Sequence, residues 1–315
     1  KMKIFNSLHQ INKDFKKNSI AIGNFDGVHK GHQKIIKECI KISKKKELNS
    51  AIITFKPHPR YFFNKKCKPF KLTSTKTKIS EIEKLSPDYL IFLNFNQFLY
   101  HLSPEEFIKK ILIKRFKTKH IVAGYNFRFG YKRKGNVQLL NKLSKKYDYN
   151  LSIIKPIISK NGKIYNSSII RKNLESGHYN KVKEMLGRTW KIDGKVIKGS
   201  GRGKNIGYPT ANVQLNDYII PCKGVYLTKS YINGSKKNKK YYGIANIGNR
   251  PTFGGKRTLL ENHFFNIKKI FYGKEIFVEL LAFLRKEKKF ANIKILKKQI
   301  EKDILLAKKI LNKNK

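Results

Sequence analysis

Short strand-forming runs, each followed by a stretch of helical spacing, dominate the first half of the chain and constrain its fold more than any other feature. The runs are SIAIG from Ser19, then AIITF, YLIFL, HIVAG and NLSIIKP. Strands separated by helices of about ten or more residues need crossover connections, which predicts an α/β domain with a doubly wound parallel sheet. In such a sheet, ligands bind beyond the carboxyl ends of the strands.

The second half follows a different pattern. After Met185, the runs GKVIKG, GVYLTKSYI, KKYYGIANIG and KEIFVELLAFL are joined by Gly, Asn and Pro turns without intervening helices. This pattern predicts an antiparallel β-barrel or sandwich, closed by a C-terminal helix from Asn292 to about Leu311. Since 315 residues are enough for two cores, we predict one domain over residues 1–185 and another over residues 186–315.

The charge of the chain bears on its partners. Its 71 basic and 20 acidic residues give a formal net charge of +51, which makes nucleic-acid binding a candidate function. The lysines are spread over every segment beside abundant Asn and Ile, which favours a solvated surface of biased composition. The three cysteines are far apart in the sequence, which predicts reduced thiols. The chain has no apolar run long enough to span a bilayer and no apolar segment behind the basic N-terminus. We therefore predict a cytoplasmic protein without membrane association. The oligomeric state stays open.

A candidate phosphate site follows the first strand. The segment GNFDGVHKGH, from Gly23 to His32, opens a predicted helix. Its glycines let the backbone approach a phosphate chain, and the helix start adds amide donors. His29 and His32 are three residues apart, so both imidazoles can stabilise charge on the same phosphates. The alternative is a pair of surface histidines beside a turn.

Three further segments are expected near the same crevice, each with a simpler alternative. GYNFRFG follows a strand and offers amide and guanidinium donors. TFKPHPR is another strand end, whose prolines predict an extended loop; it is either a site segment or a rigid loop with a surface histidine. In NSSIIRKNL, the serines either bind an anion or cap a helix. The side chains concerned are Asn126, Arg128, His58, Arg60, Ser167, Ser168 and Arg171.

The second domain contains a glycine-rich loop, GSGRGKN, that lacks the pattern of a P-loop and is not expected to precede a helix. It could wrap phosphates, or it could be a flexible basic turn. In the PTAN sequence that follows, Thr210 and Asn212 would point to one side of an extended segment and offer the oxygen ligands that Mg²⁺ prefers. Glu261, between apolar neighbours at the start of a predicted strand, is suited to accept a proton from an alcohol, or is an ordinary strand glutamate.

These segments carry a family resemblance. GNFDGVHKGH, TFKPHPR, GYNFRFG and SSIIR resemble, in this order, the FMN adenylyltransferase domain of the bacterial bifunctional riboflavin kinase/FAD synthetase, an HxGH nucleotidylyltransferase with a Rossmann-like fold. GSGRGKNIGYPTAN, GVY, GIANIGNRPTF and LENHFFN resemble the riboflavin kinase module of the same family. The resemblance implies that residues 186–315 phosphorylate riboflavin to FMN and that residues 1–185 adenylylate FMN to FAD and release pyrophosphate. ATP is the co-substrate of both reactions, with Mg²⁺.

The resemblance also implies roles for individual residues. His29 and His32 contact the ATP phosphates, and Glu261 is the base that activates the ribityl 5′-hydroxyl of riboflavin. The other adenylyltransferase residues expected to bind ATP or phosphate are Gly23, Asn24, Phe25, Asp26, Ser167, Ser168 and Arg171; those expected to bind flavin or nucleotide are His58, Arg60, Asn126 and Arg128. In the kinase, Thr210 and Asn212 hold the metal of MgATP, and the other residues expected to bind ATP are Gly199, Gly201, Arg202, Gly203, Lys204 and Pro209. Three positions depart from the family pattern: Asn166, Asn262 and Asn266.

Two alternatives remain open from the sequence. An enzyme that uses the N-terminal domain alone could adenylylate another phosphate, such as phosphopantetheine, but this would not explain PTAN together with Glu261. A lysine-rich RNA-binding or structural protein whose two sites have decayed would show RNA binding that depends steeply on salt, without ATP turnover.

Overall fold

A computed structural model describes residues 1–11, 15–159, 162–199, 201–232, 239–252, 255–267 and 270–313, with the backbone alone at 202, 250–252 and 255–257. The chain forms two compact units. The first comprises Lys1–Lys68 and Thr75–Asn166, and the second comprises Pro69–Ser74 and Ser167–Lys315. The predicted limits of the two catalytic domains, 1–185 and 186–315, stay a prediction.

The first unit contains a six-stranded parallel sheet with the strand order β1-β4-β3-β2-β5-β6, which confirms the predicted α/β architecture. Along each central strand, successive side chains enter cores on opposite faces of the sheet; Ile20 and Ile22 lie in one core and Ala21 in the other. The strands are β1 (Lys3–Phe5), β2 (Asn18–Ile22), β3 (Asn49–Lys56), β4 (Tyr89–Asn94), β5 (Thr118–Gly124) and β6 (Asn150–Ile154).

Helices connect these strands and cover both faces of the sheet. They are α1 (Lys30–Lys45), α2 (Pro59–Phe63), α3 (Thr75–Glu83), α4 (Gln97–His101), α5 (Pro104–Glu106), which continues as a π-helical stretch over Phe107–Arg115, and α6 (Val137–Ser144), with 3₁₀ turns at Leu8–Gln10 and Tyr131–Arg133. The helix α1 places Ile36 and Cys39 in the core three residues apart, the spacing of one helix face.

The second unit is built around a closed barrel with the strand order β10-β11-β8-β7-β12-β9, so the predicted barrel is confirmed over the sandwich. The strands are β7 (Lys191–Ile197), β8 (Ala211–Gln214), β9 (Gly224–Ile232), β10 (Tyr241–Thr252), β11 (Gly255–Phe264) and β12 (Glu275–Lys286). Antiparallel ladders join all neighbouring strands. Each described strand of the closed barrel pairs on both sides, so the barrel avoids the unpaired edges that are the main liability of an antiparallel sheet.

Helices surround the barrel in this unit. They are α7 (Ser167–Glu175), α8 (Tyr179–Leu186), α9 (Arg202–Asn205) and the C-terminal α10 (Ile293–Lys313). The last begins and ends within two residues of its predicted bounds and packs on outward-facing Val225, Leu227 and Ile244. The segment Pro69–Ser74 also packs in this unit, where the indole Nε1 of the buried Trp190 donates to the carbonyl of Leu72 over 2.7 Å. None of the helices in the described ranges combines the length and hydrophobicity of a membrane span.

Candidate active sites

The loop after β2 holds a compact conformation at the start of α1. Phe25 and Val28 have positive φ angles of 46° and 41°, and Gly27 has a φ of 87°. A β-branched residue such as valine rarely adopts this region, so the loop is strained. The side chains of Phe25 and Val28 are buried in the core beneath α1 and hold the loop in place. The loop backbone is thereby brought to the amino end of α1, where amide groups and the helix dipole favour an anion.

His29 and His32 lie against each other at this helix start. Their rings are stacked, with centroids 3.6 Å apart and planes 24° from parallel. The Nδ1 atom of the buried His29 accepts a hydrogen bond of 3.3 Å from the backbone amide of His32, so the proton of the neutral His29 ring is on Nε2. At Gly31, a Cβ atom would come within 3.0 Å of the His29 ring. Glycine at this position therefore leaves room for the ring pair.

A buried lysine donates a hydrogen bond to the backbone of the same loop. The ammonium group of Lys78 on α3 donates to the carbonyl oxygen of Asn24 over 2.7 Å and lies 3.4 Å from the Thr54 hydroxyl. The Thr54 hydroxyl donates to the same carbonyl oxygen over 3.0 Å. Lys78 is only 8% exposed. Sequence reasoning missed this residue because nothing local distinguishes it from the many other lysines of the chain.

The loops of two neighbouring strands reach the same edge of the sheet. β2 pairs in parallel with β3 on one side and with β5 on the other, so the carboxyl ends of all three strands lie together. TFKPHPR begins in β3, and GYNFRFG begins at the last residue of β5. Asn126 and Arg128 are exposed in the turn that follows β5, and the ring of Phe127 between them stacks on Phe129.

The prediction of an extended loop for TFKPHPR is wrong from Pro59 onward. Pro59 starts α2, since its fixed φ suits the first helical position and it lacks only an amide that the helix does not use. The ring Nδ1 of His58 caps this helix by accepting from the amide of Arg60 over 3.1 Å. Arg60 is exposed.

An aromatic cavity of about 580 Å³ lies beside α2. Phe62 and Phe63 pack edge-on or tilted against Phe95 and Tyr100, with ring centroids between 5.0 and 5.9 Å apart. The cavity is lined by Pro57, Tyr61, Phe62, Phe63, Lys65, Gln97 and Tyr100. Sequence reasoning did not identify this cavity, although the Tyr-Phe-Phe run directly after TFKPHPR was a signal for it.

The predicted serine and arginine residues of NSSIIR belong to the second compact unit and are described within it. Ser167 and Ser168 form the first turn of α7; Ser167 is half-buried and Ser168 is exposed. The guanidinium Nε of Arg171 donates to the carbonyl oxygen of Phe70 over 2.7 Å, and its charge lies 5.3 Å from the centre of the Phe70 ring. Arg171 therefore also holds the segment that runs through Phe70.

Three polar residues form a row across the outer face of the barrel. In the strand ladders, Glu261 of β11 lies directly opposite Asn212 of β8 on one side and Asn246 of β10 on the other. Side chains alternate along a strand, so Leu260 and Asn262 point into the barrel while Glu261 points outward. Glu261 is the seventh residue of its strand, so its predicted position at a strand start is wrong.

This row opens into a cavity of about 600 Å³ between the barrel and α10. The predicted residues Thr210, Asn212 and Glu261 all line it, together with Gly201 and Gly203. The lining residues that sequence reasoning missed are Asn205, Ile206, Tyr208, Val225, Ile244, Ala245, Asn246, Asn249, His263, Arg285, Glu287, Lys288, Phe290, Ile293, Leu296, Ile300 and Asp303. Of these, the residues that stand in the quoted family segments carried a signal: Asn205, Ile206, Tyr208, Val225, Ile244, Ala245, Asn246, Asn249 and His263.

Asn212 has an unsatisfied oxygen at this cavity. The residue is 4% exposed, and its Nδ2 atom donates to the carbonyl of Thr210 over 3.4 Å. Its Oδ1 atom, in contrast, has no hydrogen-bond partner among the residues that the structure describes. A buried acceptor without a partner is costly, and an amide oxygen is a ligand that Mg²⁺ takes. The donor set therefore fits a magnesium ion.

The glycine-rich loop of the second unit differs in part from its prediction. It contains a single helical turn, Arg202–Asn205, where no helix was expected, and Gly201 precedes this turn with a φ of 75°. A Cβ atom at Gly199 would collide with the side chain of Asn212, so glycine is required there. Lys204 is exposed, and the side chain of Arg202 lies outside the described residues.

Two departures from the family pattern have simple structural roles. Asn262 is fully buried inside the barrel, where its Oδ1 accepts from the Thr228 hydroxyl over 2.8 Å and its Nδ2 donates to the Ser230 hydroxyl over 2.9 Å. Asn266 is exposed in a turn with a φ of 58°, a conformation that asparagine adopts more readily than most residues. Neither residue lines the cavity.

Comparison with known proteins gives two family matches. The FAD synthetase family matches residues 11–168, and the riboflavin kinase family matches residues 186–311. The bifunctional riboflavin kinase/FMN adenylyltransferase of Buchnera aphidicola subsp. Schizaphis graminum is 39% identical over 313 residues, which cover 99% of each chain. The Bacillus subtilis protein of the same name is 38% identical over 301 residues, covering 94% of this chain and 93% of that one.

One solved structure is also similar over nearly the whole chain. The crystal structure of a macrolide-efflux protein from Streptococcus pneumoniae has a TM-score of 0.83 and 26% sequence identity, and the match covers 98% of each chain. The efflux activity in that name is said of the Streptococcus pneumoniae protein alone. With both family matches and the full-length relatives, the chain belongs to the bifunctional riboflavin kinase/FMN adenylyltransferase family, enzymes of flavin-cofactor biosynthesis.

Proposed function

We propose that the barrel cavity phosphorylates riboflavin to FMN and that the His29–His32 site adenylylates FMN to FAD, with ATP as co-substrate in both reactions. One observation supports the kinase assignment above the others: Thr210 and Asn212 line one cavity together with Glu261, which is distant from them in sequence. The family matches support both activities.

In the kinase reaction, Glu261 accepts the proton of the ribityl 5′-hydroxyl as that oxygen attacks the γ-phosphorus of ATP and ADP leaves. Thr210 and Asn212 would hold a magnesium ion, whose charge would neutralise part of the negative charge of the ATP phosphates. Because Asn212 and Glu261 are directly opposite each other in the β8–β11 ladder, the ladder fixes the base relative to the phosphate-binding residues.

The same cavity has an apolar side that suits the flavin ring. Val225 and Ile244 of the barrel face Phe290, Leu296 and Ile300 at or near the start of α10. We assign the isoalloxazine ring to this apolar side and the ATP phosphates to the backbone around Gly199, Gly201 and Gly203, where Arg202, Lys204 and Pro209 complete the loop. The planar ring then buries apolar surface while the ribityl chain extends toward Glu261.

In the adenylyltransferase reaction, the phosphate of FMN attacks the α-phosphorus of ATP directly and pyrophosphate leaves. The Nε2–H of His29 and the ring of His32 stabilise the charge that develops on the phosphate oxygens, together with the amino end of α1. We assign Gly23, Asn24, Phe25 and Asp26 to the nucleotide loop and Ser167, Ser168 and Arg171 to the triphosphate.

The aromatic cavity beside α2 is our candidate for the FMN ring of this second reaction. Phe62, Phe63 and Tyr100 present ring faces and edges to the cavity, and such rings stack favourably on a planar heterocycle. His58 and Arg60 at the start of α2, with Asn126 and Arg128 after β5, would contact the flavin phosphate or the nucleotide. We place the enzyme in the cytoplasm, where its three free cysteines stay reduced.

Chromatography of the flavins tests both assignments. The purified protein, incubated with Mg²⁺ and ATP, should convert riboflavin to FMN and FAD, and should convert supplied FMN to FAD and pyrophosphate. His29→Ala with His32→Ala should abolish FAD formation and leave FMN formation nearly intact. Glu261→Gln should abolish FMN formation and leave FAD formation nearly intact when FMN is supplied. If both variants lost both steps equally, the division into two sites would be wrong. Formation of neither product by the wild type would contradict the proposal as a whole.

A further inference from the structure

His263 connects the strand of the proposed base to the segment of the proposed metal ligands. It lies on β11 two residues beyond Glu261, and residues two apart in a strand share a face. Its Nδ1 atom is 3.0 Å from the carbonyl oxygen of Pro209. A carbonyl oxygen can only accept, so Nδ1 donates and the neutral ring carries its proton there. The ring also packs edge-on against Tyr208, with centroids 5.4 Å apart.

The bond between His263 and Pro209 restrains a stretch of backbone that precedes β8 and lies outside the ladder of the barrel. Upstream, the amide of Tyr208 donates to the carbonyl of Gly203 over 2.8 Å. Downstream, β8 begins at Ala211 and pairs with β11. Between these anchors, Pro209 has no amide hydrogen to donate, and its carbonyl is held by His263. Thr210 follows directly, so the bond restrains the backbone that positions its hydroxyl.

We propose that His263 is a positioning residue of the kinase reaction, which fixes Thr210 and Asn212 relative to Glu261 through its bond to Pro209. The inference rests on the proposed role of Thr210 and Asn212 as the magnesium site. Groups that orient metal ligands are commonly worth about 10- to 100-fold in metal affinity or activity.

Three substitutions of His263 distinguish the effect of the hydrogen bond from the effect of the volume of the ring. His263→Asn keeps a donor, because the asparagine Nδ2 atom occupies nearly the same place as the histidine Nδ1 atom. His263→Leu keeps apolar volume but removes the donor. His263→Asp matches asparagine in size yet presents a carboxylate, which can only accept, to the Pro209 carbonyl.

Two measurements on the full chain test the proposal. The first is amide hydrogen exchange across residues 208–213 without nucleotide or metal, and the second is the kcat and the KM for MgATP of riboflavin phosphorylation. For His263→Leu and His263→Asp we expect exchange to rise and kinase efficiency to fall about 10- to 100-fold, mainly through the KM for MgATP. For His263→Asn we expect both to stay within about threefold of the wild type.

The FMN adenylyltransferase activity of each variant is the internal control, because the first unit does not contain His263; it should not change. Wild-type exchange and kinase parameters in His263→Leu would overturn the inference, as would equal losses in His263→Leu and His263→Asn. A wild type that forms no FMN from riboflavin would instead refute the proposed kinase function. Hydrogen exchange would still test the role of the His263 bond with such a wild type, because the measurement needs neither metal nor turnover.

Discussion

The ion pair between Arg285 and Asp303 joins α10 to the barrel, and its removal should destabilise the second unit. The guanidinium Nε lies 2.9 and 3.0 Å from the two carboxylate oxygens, and Nη2 lies 2.7 Å from one of them. The side chains of Arg285 and Asp303 are 16% and 4% exposed. Gln299 donates a further bond of 2.9 Å to the carboxylate. Asp303→Ala would leave the guanidinium and the Gln299 amide without this acceptor.

The expected loss follows from this burial. Removing one partner of a buried pair costs about 3–5 kcal/mol, because the remaining charge stays desolvated without compensation. With a urea dependence of about 2 kcal/mol per M for a domain of this size, the midpoint of unfolding should fall by about 1.5–2.5 M. Replacing both partners, in Arg285→Met with Asp303→Leu, should recover most of the loss because neither side chain is then charged.

The measurement is urea unfolding followed by tryptophan fluorescence. Trp190 is the one tryptophan of the chain and is buried in the second unit, so its emission reports on that unit. Glu301→Ala is the matched control. It removes an exposed carboxylate from the same helix and raises the net charge equally, but it should shift the midpoint by less than about 0.5 M. A shift for Asp303→Ala no larger than that of the control would refute the reasoning.

Three further predictions concern the first unit. Burial lowers the pKa of His120 from 6.5 to about 4. Between pH 6.5 and pH 4, His120 binds a proton in the unfolded chain but not in the folded one. The free energy of unfolding therefore falls as the pH falls, by about 2 kcal/mol at pH 5. Unfolding followed by circular dichroism should show a weaker pH dependence in His120→Asn than in the wild type. Lys78→Met removes the bond to the Asn24 carbonyl and should raise the KM for ATP of FAD formation about tenfold, while unchanged kinetics would show that the loop holds its shape without that bond. Gly31→Ala crowds the His29 ring and should lower the kcat of FAD formation about tenfold, with FMN formation as the unaffected control.

Local sequence patterns were sufficient to predict the fold of both units. Alternation of strands and helices predicted the parallel sheet, because each strand run is followed by enough residues for a crossover. The loss of that alternation after Met185 predicted an antiparallel barrel or sandwich, and the closed barrel of the structure is one of these two. The start of α2 at Pro59 and the helical turn after Gly201 were missed, because elements of four or five residues leave too short a pattern to detect.

The residues that we propose for the chemistry stand in recognisable motifs, but the motifs do not show which contacts support them. Nothing near Lys78 in the sequence indicates that it reaches the carbonyl of Asn24, 54 residues away. His263 stands in the LENHFFN segment, yet only strand pairing and loop geometry bring it to Pro209. Such contacts depend on long-range pairing, which periodicity within one segment does not encode.

The sequence by itself determined the two fold classes, the glycine-rich loops that we propose as phosphate sites and the kinds of side chain available for chemistry, because spacing and residue type are local properties. Only the tertiary structure decided which residues face each other across the outer face of the barrel, that Pro69–Ser74 packs with the barrel unit, and that α10 forms a wall of the cavity. Strand register and helix docking are set by the simultaneous burial of distant apolar surfaces, and no single segment contains that information.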